Sequence, residues 1–118
     1  MEMLALNLFF TLFLSANGQT DANIVKLYGQ MGDQVKWSTS SRSEVLSKNE
    51  AITRLQQLVD GLPDSVVELV HQSDWKNGRC YRVLELRSSN ETYRVFYYCQ
   101  KEGNNEFVSK IKVSKSVR

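Results

Sequence analysis

Histidine and proline each occur once in this chain, and cysteine only twice. The single histidine, His71, leaves a zinc site short of ligands. With Cys80 and Cys99 it also shows none of the usual ligand spacing. No GxSxG, P-loop or glycine fingerprint is present, so those routes to acyl transfer and nucleotide binding have no anchor. A charge excess is missing too: 15 Lys and Arg stand against 13 Asp and Glu. The two signs are interspersed, which carries no prediction of nucleic-acid binding. The one basic run, KIKVSKSVR at the end, alternates like a strand with a solvated lysine face. Leu4 to Leu14 is almost wholly apolar but too short to span a bilayer as a helix.

That apolar segment runs into Ser15-Ala16-Asn17-Gly18-Gln19. Ala16 and Gly18 fit the small-x-small requirement of a signal-peptidase site, with Gln19 as the new amino terminus. The leading MEM carries Glu2 and no Lys or Arg, a departure from the usual n-region. The expectation is a signal peptide over 1–18 and one α+β domain over 19–118. Location is expected to be secreted or periplasmic, with no stable membrane span after cleavage. An oxidising compartment suits a pair of cysteines.

Within the domain, a short helix over Asp21 to Met31 would place Ile24, Leu27, Tyr28 and Met31 on one side. DQVKWST then alternates, with Val35 and Trp37 on one face, and Ser38 to Ser43 reads as a polar loop. The main helix is predicted near 47–60. Ser47 and Glu50 make a capping box. Ile52, Leu55, Val59 and Leu62 form the buried stripe, with Leu58 beside them. Gly61 and Pro63 end it. Four antiparallel strands follow as a meander: SVVELVHQ, RCYRVLELR, TYRVFYYCQ and EFVSKIKVS. Asn77-Gly78 supplies a type I′ turn. The fold class is α+β, one main helix on a four- to five-stranded antiparallel sheet.

Turn positions predict the register. A hairpin centred on Ser89-Asn90 sets Cys80 against Cys99, Leu84 against Val95, and Glu85 against Arg94. The Asn77-Gly78 turn would set Glu68 against Arg87, His71 against Leu84, and Trp75 against Cys80. A five-residue loop, Glu102 to Glu106, would set Tyr97 against Ile111 and Val95 against Val113. The core face then holds His71, Cys80, Arg82, Tyr93, Tyr97 and Phe107 among its aliphatics. The outer face holds Tyr81, Val83, Phe96, Tyr98 and Val108. Opposed cysteines can form a disulfide, worth roughly 3 kcal/mol in the chain-entropy model; the alternative is two buried free thiols.

Candidate chemistry is sparse. Trp37, His71, Arg82, Tyr93 and Tyr97 are the candidate pocket residues. The meander's core face lacks carboxylates, so a proton-transfer role for His71 would need Asp33 or Tyr97 as partner. Arg82 either lays its stem along Tyr97 and snorkels to the sheet's end or lines a pocket and receives an anion. Tyr81, Phe96 and Tyr98 are the candidate interaction face, open to a dimer or another protein. Asn90-Glu91-Thr92 is a glycosylation sequon at a hairpin tip. No metal or cofactor is expected.

The VHQS strand end, the NG turn, the SSNETYRVFYY hairpin and the KEGNNEFVSKIKV close together resemble a set of small secreted bacterial proteins of unknown function. Those proteins have the nuclear-transport-factor-2-like fold. The similarity covers roughly Ser47 to Ser114 and includes the signal. It implies a curved sheet wrapped round helices as a cone with a pocket, and no assigned activity. The family's paired N-terminal helices are shortened here to about Asp21–Met31, and the two cysteines fall outside its pattern. QLVDG also resembles the cystatin inhibitor loop, although capping places it at a helix end rather than a hairpin tip. The ELR…YRVFYY…K pattern resembles ribosome-dependent ribonuclease toxins, against which the signal and the mild charge argue. The expected function is a non-enzymatic secreted or periplasmic module binding a small ligand or a protein, or forming a homodimer through the sheet. The alternatives are an enzyme using His71 and a cystatin-like protease inhibitor.

Overall fold

A computed structural model of the chain describes residues 21–62 and 64–116. The expected signal segment and Pro63 lie outside the described residues. The elements run α1 (Ala22–Gln30), β1 (Met31–Ser38), β2 (Ser43–Ser47), α2 (Lys48–Asp60), β3 (Val66–Gln72), β4 (Arg79–Arg87), β5 (Thr92–Glu102) and β6 (Asn105–Ser116). The strands form one sheet in the order β2-β1-β6-β5-β4-β3. Among the described residues, no helix is long and apolar enough to cross a membrane.

Both helices start where short polar side chains can satisfy orphan amides. Asp21 accepts from the Asn23 amide at 2.8 Å. Ser47 and Glu50 complete the capping box: the Glu50 amide donates to Ser47 Oγ and the Ser47 amide to Glu50 Oε1. On α2, Ala51, Leu55 and Val59 are fully buried, with Ile52 and Leu58 packed alongside. Gly61 closes the helix at φ −75°, so no left-handed cap is used. A Cβ there would lie 3.4 Å from the Gln57 carbonyl oxygen, an ordinary contact. Gly61→Ala is therefore expected to stabilise by about 0.4–1 kcal/mol through a less flexible unfolded chain. A matched pair of urea titrations checks this, and a fall in the midpoint contradicts it.

The sheet is mixed and six-stranded, where an antiparallel meander of four to five strands is expected from the sequence. Ser43–Ser47, between the expected loop and the expected helix, is a strand and pairs antiparallel with β1. β1 then joins β6 in parallel, with Trp37 beside Ile111 and Met31 beside Val108. Where β1 crosses β6 the backbones approach closely. A Cβ at Gly32 would lie 3.1 Å from the Val108 carbonyl oxygen and 3.2 Å from the Phe107 ring.

The β4–β5 hairpin has the expected register throughout, from Arg79↔Gln100 through Cys80↔Cys99 to Arg87↔Thr92. The Asn77-Gly78 turn is also as expected. Both residues have positive φ, 54° and 73°, and Lys76 and Arg79 exchange amide and carbonyl bonds.

Register shifts change the faces elsewhere. Between Leu69 and His71 the β3–β4 pairing slips, leaving Val70 as an extra residue. Leu69 meets Leu84, Glu68 meets Glu85, and His71 meets Val83. A second one-residue slip lies between His71 and the Asn77-Gly78 turn, since Lys76 bridges Arg79 but Gln72 meets Arg82. His71 and Gln72, between the two slips, are reversed in phase, so His71 stands on the outer face, not in the core. Glu68 still reaches Arg87 diagonally at 2.9 Å. Trp75 lies in the loop rather than opposite Cys80. Between β5 and β6 the loop is shorter than expected: Glu102 pairs with Asn105 around Gly103, whose φ is +61°. Ser109 becomes the extra residue, because Cys99 meets Val108 while Tyr98 meets Lys110. Val108 is therefore fully buried, and Phe107 is only half-buried.

The expected disulfide is not formed. Cys80 and Cys99 are directly opposed yet remain free thiols, both buried. Side chains directly across an antiparallel ladder keep their Cβ atoms about 4.5–5.5 Å apart, wider than the roughly 3.8 Å a disulfide favours.

Candidate functional site

The two faces of the sheet differ in what they can do. On the inner face, register aligns Trp37, Ile111, Tyr97 and Arg82 in one row across four strands. This row is packed into the core: Trp37 and Tyr97 are each 4% exposed and Arg82 is 7% exposed. Of the five candidate pocket residues, the structure gathers Trp37, Tyr97 and Arg82 on this face, with Tyr93 half-buried near its end. His71 is separated from them by the thickness of the sheet.

Arg82 is buried and its head group is paired within the protein. Its Nη1 donates to Glu106 Oε1 at 2.5 Å and to Cys99 Sγ at 3.1 Å, and its Nε donates to Gln72 Oε1 at 3.1 Å. The anion that Arg82 receives is thus internal. Burial alone would lower its pKa, but the hydrogen bond and charge of Glu106 raise it. Burial likewise opposes ionisation of Glu106, and Arg82 outweighs it, holding that carboxyl below its ordinary range. Burial pushes the Tyr97 hydroxyl and the Cys99 thiol up to about 12 each. Cys99 is therefore a protonated thiol at neutral pH, not a thiolate nucleophile. Glu106 is the residue the sequence reading missed. A tight turn at Gly103-Asn104 would have placed it two residues before Val108, on the inner face.

The outer face carries an ordered row instead. The His71 and Tyr81 ring centroids are 5.1 Å apart, and Tyr81 and Tyr98 are 6.0 Å apart. Lys110 Nζ lies 5.1 Å from the Tyr98 ring centroid. The row crosses β3, β4, β5 and β6, and His71 joins it because it lies between the slip after Gln72 and the Val70 bulge. Beside it, Phe96 lies opposite Val83, which is only 4% exposed. The rings are tilted against one another, by 33° for His71–Tyr81 and 36° for Tyr81–Tyr98.

Charges divide along this face. Toward the β4–β5 turn, Glu85 pairs with Arg94 and Arg87, and Glu68 with Arg87. Toward the other end, Lys76, Arg79, Lys110 and Lys112 have no carboxylate within ion-pair distance among the described residues. There a cavity of about 440 Å³ opens, lined by Ser73, Asp74, Lys76, Arg79, Cys80, Tyr81 and Tyr98. Ser73 fixes its rim against β4: its amide donates to the Tyr81 carbonyl at 2.9 Å and its Oγ accepts from the Tyr81 amide at 2.9 Å.

The remaining expected features find their places. Asp33 is exposed in β1, beside Glu102 and Phe107, and is not brought to His71 or Tyr97. QLVDG closes α2 instead of capping a hairpin. Among the described residues no cluster of three or more His, Cys, Asp or Glu could hold a metal ion.

The family model described as a domain of unknown function (DUF4783) matches residues 16–114. No curated protein matches the chain. A DUF4783 family protein from Bacteroides ovatus ATCC 8483 superposes with a TM-score of 0.68 at 21% identity, over 80% of this chain and 84% of that one. One from Bacteroides uniformis ATCC 8492 gives 0.67 at 18% identity, over 80% and 86%. An NTF-2-like protein of unknown function from Silicibacter pomeroyi DSS-3 gives 0.58 at 9% identity, over 98% and 96%. At these identities the likeness shows the fold: an NTF2-like α+β domain.

Proposed function

This chain belongs to the DUF4783 family, a domain of unknown function, and from that premise we propose that it is a non-enzymatic binding module whose working surface is the outer face of the sheet. The observation that carries this reading is the row His71–Tyr81–Tyr98–Lys110, which is ordered across four strands and borders a cavity. The inner residues that could have lined a pocket are spent on the core and on the Arg82–Glu106 pair. Catalysis by His71 lacks its partner, because Tyr97 lies on the opposite face and Asp33 on β1. A proton-transfer pair must come within hydrogen-bond reach.

The same face and its cavity carry seven cations, Lys36, Lys76, Arg79, Arg87, Arg94, Lys110 and Lys112, against four carboxylates, Glu68, Asp74, Glu85 and Glu102. A second copy docked face to face would set like charges together, so an acidic or anionic partner fits better than a homodimer. A thermal-shift screen of the full chain against chemically varied small molecules tests the reading. Stabilising compounds should lose their effect in Tyr98→Ala and keep it in Tyr93→Ala. Compounds whose effect depends on the inner face, or that are chemically converted, would count against it.

The module is proposed to act outside the cytoplasm, supported by the apolar segment ending at Ala16-Asn17-Gly18. Expressed from residue 1 in a bacterium, it should be recovered from the periplasm or medium starting at Gln19, as glutamine or pyroglutamate, by mass spectrometry of the intact protein. Recovery from the cytoplasm with Met1 intact would contradict this.

A further inference from the structure

We infer that the cavity at the base of β4 is a binding site for a small organic monoanion, a carboxylate attached to an apolar or aromatic body. This rests on the outer-face reading and names the ligand class for it. Four observations converge on the cavity. Its volume, about 440 Å³, lies in the range of small-molecule sites. Two of its lining residues, Lys76 and Arg79, are cations without a carboxylate at ion-pair distance among the described residues. Two others, the exposed Tyr81 and the half-buried Tyr98, are aromatic, so they offer apolar surface with a polar tip. Lys110, seated over the Tyr98 ring, adds positive potential behind that wall.

Arg79 shares the outer face with Tyr81, two residues away on β4, while Tyr98 stands directly across from Tyr81. A guanidinium fork at one end of an aromatic wall suits a planar carboxylate, which it can hold through two parallel hydrogen bonds. Asp74 sets the upper limit on ligand charge. Two cations and one carboxylate leave the lining one positive charge in excess. A monoanion balances that excess, whereas a dianion such as a phosphate monoester would leave the occupied site with a net negative charge beside Asp74. The rim is preorganised, since Ser73 is tied to both main-chain groups of Tyr81, and the Asn77-Gly78 turn fixes the loop between Lys76 and Arg79.

The test is titration of the full chain with benzoate, benzamide and benzylamine at low salt, followed by amide chemical shifts in ¹H–¹⁵N spectra. Benzoate is expected to move the amides of Ser73 to Tyr81 and of Tyr98, and to bind about tenfold or more tightly than benzamide, the loss expected when an ion-assisted contact is removed. Arg79→Gln should weaken benzoate about tenfold and leave benzamide unchanged, while Lys115→Gln should alter neither. Equal binding of benzamide or benzylamine at these amides overturns the anionic class but keeps the outer face as a binding surface. No shifts on this face with any of the three compounds overturns both readings.

Discussion

Val108→Lys is expected to prevent folding. The sequence pattern alone would place this residue on the solvent side of β6, where lysine is harmless. The structure buries it completely, because the extra residue Ser109 reverses the phase of the strand. An ammonium at that position faces the core beside Cys99 and Met31, its neighbours in register on β5 and β1. The nearby inner-face carboxylate, Glu106, is already held by Arg82, so the cost exceeds about 4 kcal/mol, among the largest for single substitutions. A domain of this size has only about 5–15 kcal/mol to lose. Phe107→Lys is the control: the residue is half-buried at the rim of the Asp33–Glu102 cavity and should leave a cooperative unfolding transition. Circular dichroism of the two variants decides. A folded Val108→Lys together with an unfolded Phe107→Lys would mean that β6 runs without the bulge.

Glu106→Ala is expected to cost about 3 kcal/mol or more, because it strands the Arg82 guanidinium, whose side chain is 9% exposed. The loss belongs to the unpaired charge rather than to any net worth of the pair. The double variant Arg82→Met, Glu106→Leu should therefore recover most of the stability, since apolar groups of similar volume often replace a buried pair without loss. The pair also sets an acid dependence. Glu106 has a folded pKa below its unfolded value near 4.3. Its contribution is present above that value and disappears as pH falls through the lower folded pKa. The acid limb of the stability curve should be shallower in Glu106→Gln than in the parent. Urea midpoints between pH 3 and 6 or so measure this, and parallel limbs would remove Glu106 from the account.

These two residues mark where the sequence was legible and where it was not. Local signals held. The capping box of α2, the Asn77-Gly78 turn and the whole β4–β5 register follow from short-range chemistry and from period-two patterning. Cross-strand charge and apolar pairs allowed only one alignment of that hairpin. Bulges were not legible, because Val70 and Ser109 look like any other strand residues and their effect appears only through the partner strand. Each reversed a face, moving His71 outward and Val108 inward. The parallel β1–β6 pairing joins the two ends of the domain, and no turn records it. Of the candidate sites, Tyr81, Phe96 and Tyr98 are on the expected face, and His71 joins them. The inner set was assigned to the right face except for His71, but the partner that receives the buried Arg82, Glu106, was hidden by a turn read as five residues instead of two.

The claim on which the functional reading depends is that His71, Tyr81, Tyr98 and Lys110 make one row on the outer face. A nuclear Overhauser spectrum of the full chain tests it most directly. Cross-peaks are predicted between the His71 and Tyr81 ring protons and between the Tyr81 and Tyr98 rings, as their 5.1 and 6.0 Å centroid separations require. Cross-peaks from the His71 ring to the Leu84 methyls, with none to Tyr81, would put His71 back on the core face and contradict the account.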